Sequence, residues 1–153
     1  MASRSTSKIW EYLGNLEKDK LSHALRSLAD TEQELANLEA SVVKMQEMKN
    51  EYLTKLNQAD SGQDIAIVEL TTSINFIGRI EEALRHSAAR RLELNKHLRQ
   101  AKQHCADRQV DVKKYAILGE KELKASALKD RQEEQKQADQ HATMSWLQRE
   151  SHS

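Results

Sequence analysis

Two long stretches of this chain carry apolar residues at alternating spacings of three and four. In the first, Leu21, Leu28, Leu35, Val42 and Leu56 fall on one heptad position, with Lys49 as the exception. Ala24, Leu38, Met45 and Tyr52 fall three residues further on, with Thr31 the weak member. In the second stretch, Ile77, Leu84, Leu98, Cys105 and Val112 share a position broken by Arg91. Ile80, Leu94, Ala101 and Tyr115 share its companion, broken by Ser87 and Arg108. A stripe of this spacing, kept over several heptads, is what one helix needs to wind against another. Between the stretches lies Gln58-Ala-Asp-Ser-Gly-Gln-Asp64, a Gly/Ser/Asp cluster that reads as a turn, with Asp64 as an N-cap. The pattern predicts an all-α fold: a two-helix antiparallel coiled-coil hairpin, one domain over residues 1–153. Helix one is expected over about 7–57, the turn over 58–64 and a longer helix two over about 65–148.

Composition sharpens this picture. The 153 residues include no proline and only four glycines, and 31% are charged while 4% are aromatic. Without proline nothing in either stretch forces a helix to break, and the abundant Ala, Leu, Glu, Lys, Gln and Arg are strong helix formers. Lys plus Arg and Asp plus Glu both number 24, so no net field steers the protein toward nucleic acid or anionic lipid. No apolar run approaches the ~20 residues that span a bilayer, and Met1-Ala-Ser-Arg-Ser-Thr-Ser7 lacks a secretory apolar stretch. The one cysteine, Cys105, has no internal partner for a disulfide, which fits a reducing cytoplasm.

Charge supports the doubling back. Asp30, Glu32, Glu34, Glu39, Glu47 and Glu51 make the first arm acidic where Arg79, Arg85, Arg90, Arg91, Lys96, Arg99 and Lys102 make the second basic. Folding at the turn sets these stretches side by side, although an exposed pair contributes only ~0.2–1 kcal/mol. The arms are unequal. Residue 9 is expected opposite about residue 111, leaving Lys113 to about Gln148 without an intramolecular partner, an overhang of roughly 45 Å.

Candidate chemistry is sparse. His23, His86, His97, His104, His141 and His152 form no HExxH pattern, and Gly14, Gly62, Gly78 and Gly119 are too isolated to cradle a phosphate. Cys105 falls in the seam, where a thiol packs as a small hydrophobe. Neither catalysis nor a cofactor or metal is expected. Two features point instead to partner proteins. Met45, Met48 and Tyr52 before the turn, with Phe76, Ile80 and Ala83 after it, make a stripe wider than a two-helix seam requires, since Met48 lies off the heptad positions. The segment Arg131-Gln-Glu-Glu-Gln-Lys-Gln-Ala-Asp-Gln-His-Ala142 is helical in composition yet has no heptads.

The order of Asn50-Glu-Tyr-Leu-Thr-Lys-Leu-Asn57, the polar turn, Asn75-Phe-Ile-Gly-Arg-Ile-Glu-Glu-Ala-Leu84 and Glu134-Gln-Lys-Gln-Ala-Asp-Gln-His-Ala142 resembles the bacterial flagellar export protein FliJ family, from about Ile9 to Met144. The resemblance implies a non-enzymatic coupling protein shaped like the central stalk of a rotary ATPase, the gamma subunit. Its implied partners are a hexameric export ATPase, the cytoplasmic domain of the membrane export gate and export chaperones. It implies a cytoplasmic chain, a monomer when isolated, peripherally associated with the inner-membrane export apparatus and not inserted in the bilayer. Carried onto this sequence, the gate-facing group is Met45, Met48, Tyr52, Phe76, Ile80 and Ala83, and the ATPase-facing group is Arg131, Gln135, Lys136 and Asp139. Two positions depart from the family pattern: Met48 stands where an aromatic is frequent, and Ser87 where a histidine is, with His86 adjacent.

Three other readings compete. The stalk protein of virulence injectisomes shares the expected shape. A generic coiled-coil chaperone or scaffold is the second, although its prefoldin-like form would need β-strands for which the short turn has no room. A parallel filament would continue the helix through residues 58–64 and dimerise. The polar seam positions Lys49, Ser87, Arg91 and Arg108 are expected to weaken the hairpin and to tolerate shifts of register, so replacing Arg91 and Arg108 with Leu is expected to raise the melting temperature.

Overall fold

The computed structural model describes residues 2–60 and 66–152, with side chains for 8–58 and 66–152. Among these, α1 runs Ala2–Asp60 and α2 runs Ile67–Ser151, with no strand. The chain is all-α, and its two long helices pack antiparallel. α1 extends past its predicted range at both ends, while α2 begins later than predicted, at Ile67, and passes its range only at the C-terminal end. Lengthening an existing helix fixes one residue per added hydrogen bond, with no new nucleus required. Residues 58–60 of the predicted turn are helical, while the rest of that turn and the Asp64 cap lie outside the described residues. Glu69 sits in the first turn of α2 and Arg149 in the last, each placed to complement the helix dipole.

Contacts divide the chain into two units, Met1–Ser22 with Asp107–Ser153 and His23–Ala106. In the second of these, Tyr52 meets Phe76, Lys49 meets Glu81, Glu39 meets Arg91 and Glu34 meets Arg90. Descending α1 therefore means ascending α2, which excludes a parallel filament. The heptad positions make the seam. Ala24, Ile77, Ile80, Leu94 and Cys105 are buried, and Leu28, Leu35, Leu38, Val42, Met45, Tyr52 and Leu56 are half-buried between exposed neighbours. No large side chain among the described residues is fully sealed from solvent, as expected where only two helices share one narrow face.

In the first unit Trp10 stacks near Tyr115, with ring centroids 6.0 Å apart, and donates from Nε1 to Glu122 Oε2 at 2.5 Å. This corrects the expected register: Trp10 faces residues 115 to 122, about one to three turns further along α2 than residue 111. The cause is the position of the bend, since α1 persists to Asp60 and α2 begins only at Ile67. Pairing consequently reaches much further than predicted. Tyr115, Leu118, Gly119, Glu122 and Ser126 are half-buried, and uninterrupted exposure begins at residue 127 and runs to 144.

Candidate protein-interaction sites

Near the bend, the structure brings most of the predicted gate-facing group together. Tyr52 and Phe76 lie with ring centroids 4.7 Å apart and planes inclined at 46°, a tilted contact of favourable geometry. The Lys55 ammonium stands 5.2 Å from the centre of the Tyr52 ring, within cation–π range. Phe76 and Ala83 are half-buried and Met48 is exposed. These three share one flank of the seam. The Glu34–Arg90 pair crosses that flank; Met48 follows Glu34, and Ala83 and Phe76 precede Arg90, at multiples of seven residues. Ile80 is different, because it is 5% exposed and belongs to the seam itself. Met45 is half-buried at a heptad position. The surface available to a partner is thus Met48 and Ala83 with the edges of Tyr52 and Phe76.

The opposite flank carries apolar residues that the sequence reading passed over. Leu53 and Ile74 are exposed, and so is Ile67 at the start of α2; Leu70, in line with Ile77 of the seam, is exposed beside them. Their signal was present: Leu53, Ile67 and Ile74 occupy a flanking heptad position that ordinarily holds Glu or Lys.

Electrostatics on the first flank is local. Arg90 bonds Glu34 across the seam and Glu93 on its own helix. The Glu34 hydrogen bond, followed by that of Glu93, holds the Arg90 guanidinium pKa above its ordinary value. Hydrogen bonding and charge from Arg90 pull the Glu93 carboxyl below the usual glutamate range. Both groups are solvent-exposed, so salt and water screen the interaction.

The predicted ATPase-facing residues Arg131, Gln135, Lys136 and Asp139 are all exposed on α2. Gln135, Lys136 and Asp139 share a face with Gln132, Gln140, Thr143 and Met144, and Arg131 falls outside that set. Met144, Trp146 and Leu147 are exposed just beyond, giving this helix end apolar as well as polar contacts to offer.

A third feature was not anticipated. Where α1 meets α2 in the first unit, Trp10, Glu11, Gly14, Asn15, Lys18, Val112, Tyr115, Ala116, Gly119 and Leu123 line a slot of about 240 Å³. The heptad stripe as read began at Leu21, so Trp10, Gly14 and Glu17 fell outside it.

Among the described residues no three His, Cys, Asp or Glu side chains converge to hold a metal ion, and no helix is long and apolar enough to cross a membrane. Comparison with curated proteins and with solved structures returned no match. The family profile described as Flagellar FliJ protein matches residues 11–151. That match spans both helices and nearly the whole chain, and on it the protein belongs to the flagellar FliJ family.

Proposed function

We propose that this protein is a non-enzymatic central stalk of the flagellar type III export apparatus. Membership in the FliJ family carries the coarse assignment, a part in flagellar protein export and hence in motility. The finer reading rests on one observation: beyond Ser126, α2 continues to Ser151 with every residue but Ser145 exposed. A helix with no packed face draws its order from i,i+4 pairs or from a surrounding protein, and we take it to be the second. In this reading Arg131, Gln135, Lys136 and Asp139 enter the pore of the hexameric export ATPase, much as the gamma subunit enters a rotary ATPase. Met48, Tyr52, Phe76 and Ala83, supported by Met45 and Ile80 beneath, meet the cytoplasmic domain of the export gate. The chain thereby links ATPase, gate and substrate chaperones at the inner membrane without entering it.

A pull-down of the purified chain with the export ATPase and the gate domain tests this directly. Tyr52→Ala with Phe76→Ala is expected to abolish gate binding while ATPase binding persists, and Lys136→Glu with Asp139→Lys is expected to do the reverse. Full gate binding by the first double variant would refute the gate assignment.

A further inference from the structure

The slot in the first unit is built, not incidental. Two glycines form its floor, one on each helix. A Cβ at Gly119 would lie 3.5 Å from the Trp10 Cβ, and a Cβ at Gly14 would lie 3.9 Å from the Tyr115 Cβ. Each aromatic thus rests over the glycine of the facing helix, and each glycine lies four residues beyond an aromatic on its own helix. The Trp10–Glu122 hydrogen bond and the Trp10–Tyr115 contact hold the walls in place. Leu123, 58% exposed, forms an apolar shoulder, Ala116 leaves the mouth open, and Glu11, Asn15 and Lys18 form a polar rim along α1.

We infer that this slot receives a single large apolar side chain, of Leu, Met or Phe type, from an amphipathic helix of another protein laid along the two helices. At about 240 Å³ the slot is smaller than the ordinary small-molecule pocket of about 300–1,000 Å³, and one knob seated among residues of neighbouring helices is ordinary coiled-coil packing. The rim fixes the partner's charge. Glu11 and Lys18 are seven residues apart on the same side of α1, so the incoming helix carries a basic residue one turn to one side of its knob and an acidic residue one turn to the other. That pattern also sets its direction. The site is separate from the exposed α2 segment and from the Tyr52–Phe76 region, and the inference does not depend on the function proposed for either.

A display library of amphipathic helices, with the central apolar position and its neighbours three and four residues away randomised, tests the site on the full-length chain. The chain is expected to enrich helices with one Leu, Met or Phe flanked by a basic residue on one side and an acidic residue on the other. Ala116→Leu fills the mouth from an exposed position and is expected to reduce enrichment at least tenfold with an unchanged melting profile. Lys18→Glu is expected to invert the preferred flanking charge. No enrichment, or the same sequences on Ala116→Leu, overturns the site. Sedimentation of the unmodified chain supplies the other arm: a dimer that Ala116→Leu dissociates would show that a second copy fills the slot, and would overturn the assignment to a foreign helix.

Discussion

Arg108 Nη1 lies 3.4 Å from Glu17 Oε2, and Glu17 is the one buried charged residue among those described. Lys20 Nζ reaches the other carboxylate oxygen at 3.2 Å. Arg108 is therefore not the defect its place in the apolar stripe implied. It neutralises a carboxylate that the seam has taken from water, and a slip of register would part Arg108 from Glu17 and leave that carboxylate only Lys20.

This reverses one half of the expectation for leucine replacements. Arg108→Leu leaves the buried Glu17 carboxylate with Lys20 alone and is expected to cost about 1–3 kcal/mol, with Glu17→Leu in addition restoring or exceeding the original stability. Thermal denaturation followed by circular dichroism reads both variants. A higher melting temperature for Arg108→Leu alone would show that the pair does not stabilise the register.

The other half stands. Arg91 occupies a seam position yet is 57% exposed at its side chain, turning outward to Glu39 at 3.3 Å. Such a pair contributes at most about 1 kcal/mol, and a leucine there recovers part of the ~1.5–3 kcal/mol of a buried aliphatic side chain. Arg91→Leu is expected to raise the melting temperature by a few degrees; a fall would mean that the seam has no room at this point.

Gly119 and Gly14 each leave space for a methyl group at ordinary contact distance. Since glycine in a helix interior costs roughly 1 kcal/mol relative to alanine, Gly119→Ala is expected to stabilise the first unit by about that amount. Trp10→Ala is expected to destabilise it. Hydrogen exchange at residues 8–20 and 112–122 locates both effects, and faster exchange in Gly119→Ala would contradict the geometry.

The Arg90–Glu93 contact gives a pH signature. Because the Glu93 pKa is depressed in the folded state, its contribution is complete above the ordinary glutamate pKa and disappears as pH falls through the folded value. The raised Arg90 pKa keeps that partner charged across the whole range. Glu93→Gln is expected to lower stability slightly at neutral pH and above, by an amount that vanishes at low pH, and so to flatten the acid limb of the profile. An identical acid limb in the variant would remove Glu93 from the account.

Much of this architecture was legible in the sequence because a period of three and four has one simple solution. Every heptad residue assigned on α1 is half-buried or buried, and Cys105 lies in the seam as its spacing required. The register was less accessible. Residues 58–60 carry turn-like chemistry yet continue the helix, and those few residues carried Lys113 to Glu122 from the expected overhang into the paired region. The clasp of Trp10, Gly14, Tyr115 and Gly119 escaped for a related reason, since glycine at a seam position reads as an interruption until its partner is known. Ile80 illustrates the limit for the interaction surface, because spacing assigns a residue to a stripe and burial alone separates the seam from its rim.

That no large side chain among the described residues is wholly sealed from water has a mechanical consequence. Each heptad contributes a small, nearly independent share of cohesion, so prying the helices apart meets low resistance a step at a time. Load along either helix meets continuous backbone hydrogen bonding instead. Within each unit the paired helices therefore resist stretching lengthwise yet yield readily to sideways separation, as a zip fastener does.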